Sequence, residues 1–331
     1  MDAPARHRPR RRDRLLTLAC LGCVLAVALG FLGEFARPFD SFSHFRAHLG
    51  VLAALLAVIV LAMRRWFLAG ALALACAAAL AASLPWMLPR SGEAPEGPRY
   101  ALLQMNLRWN AGDKAEALRR IAEADADIVT LQEMTPEWAA LFAPLAERYP
   151  YQVHCDGADG FQGDSALLSR RPFVPGSAAI CDERNSLAAA RIDFNGVPLT
   201  VASHHQLWPW PRGQWRRFDR LRETLEDLPR PLLLAGDFNA VPWSAFVGGY
   251  AQATGGRVVP GIGPVWAPPF APDALRRTVG LPLNNLVVSP QVGIASLARL
   301  PSTSSDHLPV LVRFTVARPA DDGPRISVAA R

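Results

Sequence analysis

Leu232-Leu233-Leu234-Ala235-Gly236-Asp237-Phe238-Asn239 reads as a buried strand that stops abruptly on a carboxylate and, two residues later, an amide. Three other stretches repeat the pattern. Leu102-Leu103-Gln104-Met105 ends on Asn106, Ile128-Val129-Thr130-Leu131-Gln132 ends on Glu133, and Ser305-Asp306-His307 stands immediately before Leu308-Pro309-Val310-Leu311-Val312. One polar strand end would mean little, because turns are polar. Four of them, bearing only carboxylate, amide and imidazole groups, suggest a single site at one edge of a sheet, where reactive groups are mounted on rigid elements.

The surrounding periodicity sets the architecture. Strands are expected at 100–106 and 128–132, separated by a helix at 114–124 whose Ala117, Leu118, Ile121 and Ala122 share one face, and followed by a helix at 136–148 with Pro136 in its first turn. Short strands at 151–153, 165–168, 188–194 and 199–203 come next, the last two joined by the hairpin dipeptide Asn195-Gly196. A helix at 214–226 and a strand at 231–235 precede a Gly- and Pro-rich stretch, 250–278, expected to be mostly loop; strands at 285–289 and 308–315 finish the domain. Strand–helix units first and hairpins later predict an α/β, four-layer sandwich, with two mixed sheets packed face to face and helices outside.

The first part of the chain reads differently. Arg6, Arg8, Arg10, Arg11, Arg12 and Arg14 precede an uncharged run at 15–31; further apolar runs lie at 49–63, the shortest, and 66–88. A bilayer crossing needs roughly 20 apolar residues, so a three-helix transmembrane anchor is expected; a cleaved signal peptide would leave two runs unexplained. The basic amino terminus and the Arg64-Arg65 corner fall on one side, which basic residues mark as cytoplasmic. The connector 34–48 and everything after 88 are then extracytoplasmic, which in a bacterium means an inner-membrane protein with a periplasmic domain. The expected organisation is a basic tail with three helices (1–89), a linker (90–98), a catalytic domain (99–316) and a disordered tail (317–331).

Much of the formal net charge of +6 comes from the arginines before Leu15, so composition by itself makes no case for a nucleic-acid substrate. Cys20, Cys23 and Cys76 fall in the apolar runs. Cys155 and Cys181 are left in the soluble part, where an oxidising compartment invites a disulfide and the alternative is two unpaired buried thiols. The sequence contains no internal repeat and no zinc-type Cys/His spacing.

Asn106, Glu133, Asp237, Asn239, Asp306 and His307, with His204 at the end of Leu199-Thr200-Val201-Ala202-Ser203, resemble in type and order the signature of the endonuclease/exonuclease/phosphatase superfamily. The resemblance covers about 99–314, and the whole chain looks like a membrane-anchored bacterial branch of that group. It implies a phosphoester hydrolase, a phosphodiesterase of nuclease type foremost. A phosphodiester is already anionic, and a cation held by carboxylates can neutralise the charge that builds during attack. Glu133 is the leading ligand, with Asn106 through its amide oxygen and Asp306 contributing; hard oxygen donors point to Mg²⁺ or Mn²⁺. Asp237 would orient or deprotonate the attacking water, Asn239 and His204 would hold phosphoryl oxygens, and His307 would stand by the scissile phosphate. His205 is the alternative to His204.

One position departs from the resemblance. The family usually places an Asp before the strand that here runs Leu286-Val287-Val288-Ser289, to fix the tautomer of the final His, and this chain has Asn284-Asn285. The exchange is expected to weaken catalysis and leaves open a scaffold that binds a phosphorylated ligand. Trp208, Trp210 and Trp215, interleaved with Arg212, Arg216 and Arg217, could stack on bases, sit at lipid headgroups, or simply pack the loop. The resemblance slightly favours nucleic acid as substrate; anchoring at a bilayer brings phospholipid headgroups, and a lipid or phosphomonoester phosphatase, into range.

Overall fold

Side-chain alternation sorts the strands between two sheets in the computed structural model, which describes residues 11–88, 97–155, 164–209 and 213–318. Four helices come first: α1 (Arg11–Leu29), the short α2 (Asp40–Ser43), α3 (Arg46–Ala62) and α4 (Trp66–Met87). The domain then runs β1 (Tyr100–Asn106), α5 (Ala115–Ala124), β2 (Ile128–Met134), α6 (Pro136–Phe142), β3 (Tyr151–Cys155), β4 (Asp164–Ser169), β5 (Ile180–Asp182), β6 (Leu187–Asp193) and β7 (Pro198–His205). It continues through α7 (Gln214–Asp227), β8 (Leu232–Asp237), α8 (Ala245–Thr254), β9 (Arg257–Val258), α9 (Asp273–Val279), β10 (Asn284–Val288), β11 (Val292–Arg299) and β12 (Val310–Val316). Most of the expected linker and tail, the arginines before Arg11, and Trp210, Pro211 and Arg212 lie outside the described residues.

One sheet has the order β11-β12-β1-β2-β4-β3 and the other β5-β6-β7-β8-β10-β9. Each mixes parallel and antiparallel pairs: β1 with β2 and β7 with β8 are parallel, the rest antiparallel. Leu102, Ile128 and Leu167 from the first sheet meet Ala190, Val201, Leu233 and Leu286 from the second in one core. The opposite faces are covered by helices: Leu103, Met105 and Val129 beneath Ile121, Trp138 and Phe142, and Leu232, Leu234 and Ala202 beneath Phe218, Leu221 and Phe246. The α/β/β/α order matches the expected four layers. Cys155 and Cys181 form a disulfide that joins the edge strands β3 and β5 of the two sheets.

The short α2, β5 and β9 escape the sequence reading, and so do three longer elements. Helix α8 carries Gly248-Gly249, poor helix formers, yet Gly249 lets the helix lie against Phe218, whose ring would be 2.9 Å from an added Cβ. Helix α9 sits between Pro272 and Gly280 inside the stretch expected to be loop. Edge strand β11 is small and half-exposed, so it lacks the apolar alternation that announces a strand.

Helices α1, α3 and α4 form a bundle around Cys20, Cys23, Val27, Ala53, Leu72, Ala75 and Ala79. The expectation of three spans is corrected here. Among the described residues only α4, at 22 residues, is by itself long and apolar enough to cross a membrane; α3 reaches that length only if the bent segment Arg37–Ser43 before it is counted, at 62°. In α1 the first turn holds Arg11, Arg12, Asp13 and Arg14, so a charged turn occupies part of its 19 residues.

The connector between α1 and α3 is part of the domain. Asp40 accepts from the Ala245 and Phe246 N–H groups at 2.9 and 3.0 Å, closing the start of α8 beside Ser244, whose Oγ accepts from Val247. Trp243 Nε1 donates to the Ser43 carbonyl at 2.7 Å, His44 Nε2 lies 3.4 Å from the Asn239 carbonyl, and Gly261 N–H donates to Trp86.

Candidate active site

Parity along the strands decides which polar groups enter the seam between the sheets. In β8, Leu233 and Ala235 face the inter-sheet core, so Asp237 does too; in β1, Leu102 sets Gln104 and Asn106 on that side. In β7, Val201 faces the seam, which puts Ser203 and His205 inward and turns His204 to the helix layer. His204 is fully buried there, its ring nitrogens on the Ser186 carbonyl and the Tyr250 hydroxyl at 3.0 and 2.9 Å. Burial holds it neutral, with its pKa pushed down to about 3. His204 therefore lies away from the seam, and its alternative His205, one residue on, is the histidine that faces it.

Glu133 breaks the alternation. Its φ of 60° and the register shift after Leu131 form a bulge, so that Gln132 and Glu133 both reach the seam side. Left-handed backbone at a non-glycine residue is a feature of functional sites. Asn239, at φ 47°, takes the same conformation, which Asn tolerates well.

Glu133, His205 and Asp237 offer ligand atoms that lie within 4.8 Å of one another. His205 Nε2 is 3.9 Å from Glu133 Oε1 and from Asp237 Oδ2. Burial, then the Arg217 charge, pushes His205 down to about 3, so these are contacts of a neutral ring and not ion pairs. Desolvation raises both Glu133 and Asp237 above the ordinary carboxylate range, opposed by the hydrogen bonds they accept and by the nearby His307, with a smaller upward push from Asp306. The buried Asp237 and the partly buried Glu133, sharing one amide partner, with the neutral imidazole of His205 beside them and a third acid at the rim, make a pocket rich in donors for a cation. That donor set fits a hard divalent cation.

Asn106 Nδ2 donates to Glu133 Oε1 and to Asp237 Oδ2, both at 2.9 Å, while its Oδ1 accepts from Arg108 N–H. The backbone donor fixes the amide, so Asn106 braces the carboxylates with its nitrogen; the expected amide-oxygen ligand is engaged elsewhere. Asn239 N–H donates to Asp237 Oδ1, and Nδ2 gives one hydrogen to the Gln206 carbonyl. Its second hydrogen is free for a ligand, and its Oδ1 is buried without a partner. Asp306 accepts from Trp266 Nε1 at 3.1 Å, and Trp208 packs on Trp266 with ring centres 5.1 Å apart. Trp215 instead packs on Phe218 and Phe246 in the helix layer.

His307 Nε2 is 3.3 Å from Asp237 Oδ2, and Nδ1 is 2.8 Å from Asn284 Oδ1. Behind it runs a chain of amides. Asn284 Nδ2 donates to Gln104 Oε1, Gln104 Nε2 to Gln132 Oε1, Gln132 Nε2 to Ser203 Oγ, and Ser203 to the Leu131 carbonyl, at 2.7, 2.6, 3.0 and 2.9 Å. A carbonyl only accepts, so the last bond sets the direction of all the others. Asn284 therefore presents oxygen to His307, and His307 donates from Nδ1. The amide does the orienting expected of a carboxylate, without the charge. Ser305 Oγ accepts from His307 N–H and donates to the Asn106 carbonyl, which ties the last loop to β1. Gln104, Gln132 and Ser203 are the residues of this layer that the sequence did not single out, and strand parity is the signal that held them; His205 stood there as the alternative to His204, and Asn284 as the departure beside the final His.

A profile of the Endonuclease/Exonuclease/phosphatase family matches residues 103–307. A comparison with curated protein sequences gave no match. Among solved structures, an endonuclease/exonuclease/phosphatase from Beutenbergia cavernae is similar at 18% identity and a TM-score of 0.51, over 67% of this chain and 72% of that one. The human Nocturnin catalytic domain with a bound sulfate anion is similar at 19% identity and 0.50, over 67% and 96%. An endonuclease/exonuclease/phosphatase from Bacteroides vulgatus is similar at 17% and 0.50, over 66% and 100%. At these identities the likeness is one of fold.

Proposed function

We propose, from the premise that this chain belongs to the endonuclease/exonuclease/phosphatase family, that it is a divalent-metal-dependent phosphodiesterase tethered to a membrane by its helical bundle. The observation that carries the reading is the convergence of Glu133, His205 and Asp237 on one point, with His307 and Asn239 at its border. Glu133 and His205 would hold Mg²⁺ or Mn²⁺ with Asp306 at the rim, and the cation when bound would neutralise charge on the phosphoryl oxygens. Asp237, fixed by Asn106 and the Asn239 N–H, orients the attacking water and takes up its proton. His307 Nε2 stands 3.3 Å from Asp237 Oδ2 and is placed to deliver a proton to the leaving oxygen. Asn239 uses its free amide hydrogen to hold a phosphoryl oxygen.

Tethering is supported by the inverted character of the bundle. Small residues fill its centre, while Leu18, Leu21, Leu25, Val58, Phe67 and Leu74 point outward. Arg65 pairs with Asp13 at the end of the bundle away from the domain, which favours a periplasmic site, and the Cys155–Cys181 disulfide suits an oxidising compartment. The test is turnover of bis(p-nitrophenyl) phosphate by the full chain in detergent with Mg²⁺, Mn²⁺ or EDTA, beside Asp237→Ala. Loss of turnover in both chelator and variant is expected. Turnover that survives EDTA would overturn the metal role; phosphate binding without turnover would favour the scaffold.

A further inference from the structure

Helix α9 is built inside out. Arg276 is buried with Nη1 donating to the Ser305 carbonyl, and Arg277 donates to Asp273 and to the Leu300 carbonyl, so both guanidinium groups turn toward the domain. The face left outside carries Leu275 and Val279, 49% and 55% exposed, and the turn before it lifts Phe270 to 89%. Helices on water-facing surfaces sort their residues the other way, and a continuous apolar patch marks a surface that meets something apolar. The patch continues onto the connector. The Val279 carbonyl accepts from His48 Nε2 at 2.6 Å in the first turn of α3, and Phe45, 53% exposed, lies edge-on to His48. This surface therefore lies level with the ends of α1 and α3 where the apolar bundle begins. The same segment reaches the site from its other side: Trp266 holds Asp306, and Arg276 holds Ser305, two residues before His307.

We propose that the substrate is a membrane-resident lipid phosphoester, presented to the site from the bilayer on which α9 rests. Phe270, Leu275 and Val279 enter the headgroup–acyl boundary, and Trp266 on Asp306 and Arg276 on Ser305 link that boundary to the loop that carries His307. Water oxygen bonds to phosphorus, one phosphorus–oxygen ester bond breaks, and the departing oxygen leaves as an alcohol with one of the water protons. The other proton stays with the phosphate. The inference deepens the hydrolase reading and rests on it.

The test uses the full chain reconstituted into vesicles of phosphatidylcholine, phosphatidylglycerol or sphingomyelin with Mg²⁺, with bis(p-nitrophenyl) phosphate and single-stranded DNA supplied from water. Wild type is expected to hydrolyse lipid; the Phe270→Ser/Val279→Ser variant keeps aryl turnover and loses lipid turnover roughly tenfold or more, because interfacial insertion scales with buried apolar area. Equal lipid turnover in variant and wild type overturns the inference, as does DNA cleavage with no lipid hydrolysis. Aryl turnover without lipid turnover sinks this inference alone; no metal-dependent aryl turnover sinks the hydrolase reading and this inference with it.

Discussion

Replacing Asn284 by Asp tests the directed amide chain behind His307. Aspartate accepts from His307 but has no hydrogen for Gln104 Oε1, which lies 2.7 Å from the present amide nitrogen. The two acceptors separate only if Gln104 and Gln132 both turn over, and Ser203 must then donate to Gln132 and release the Leu131 carbonyl. One buried hydrogen bond is lost, about 0.5–1.5 kcal/mol. Ser203→Ala in the original background loses two, to Gln132 and Leu131. In the doubly substituted chain the flipped amides still pair, and the total loss is two bonds and not three. Urea unfolding of the four proteins in detergent should therefore show the double variant less destabilised than the summed singles by about 1 kcal/mol, one net hydrogen bond. Side chains 284 and 203 are joined only through Gln104 and Gln132, so additivity within about 0.5 kcal/mol would refute the directed chain.

Metal and pH should be linked. Burial keeps the folded Glu133 and Asp237 carboxyls protonated to higher pH than in the unfolded chain, so they contribute stability at low pH that is lost as pH rises above about 4. A cation supplies the missing charge, so the gain in Tm from Mg²⁺ should be larger at about pH 7.5 than at about pH 5; an equal gain would place the cation elsewhere. His205→Ala should remove most of that Mg²⁺-dependent gain. His204→Leu should leave it intact while destabilising the fold by about 1–3 kcal/mol, because the buried Tyr250 O–H loses its acceptor and keeps only the donor Gln206, and the reverse pattern would contradict the strand parity. Asp40→Ala should destabilise by about 1–3 kcal/mol and speed amide exchange at Ala245 and Phe246, both of which it now caps; unchanged exchange would count against the cap.

Much of the fold was legible because it rests on local pattern. The runs ending at Asn106, Glu133 and Asp237 announce strands by their apolar content, and the Asn195-Gly196 turn fixes the β6–β7 hairpin. Helix α8 was hidden because it carries two glycines, of which Gly249 serves a contact with Phe218, and part of its cap comes from far away in sequence. At the site, residue types were legible and directions were not. His204 and His205 look alike in order, and only the side on which Val201 packs separates them. The bulge at Glu133 reverses the alternation that any strand pattern assumes. The amides of Gln104, Gln132 and Asn284 are ordinary in isolation, and their direction is imposed by a carbonyl on a neighbouring strand.

The carboxylate that completes α8 comes from 205 residues upstream. A fragment starting near Gly97 would leave behind Asp40, Ser43, His44 and Trp86, and with them the supports under Trp243, Asn239 and Gly261. Residues 40–86 thus prop up the loops that surround the candidate site. Grafting a foreign leader onto the domain would leave the loops around Asn239, Trp243 and Gly261 sagging, and ribosomal order suits the arrangement: the footing emerges before the building it carries.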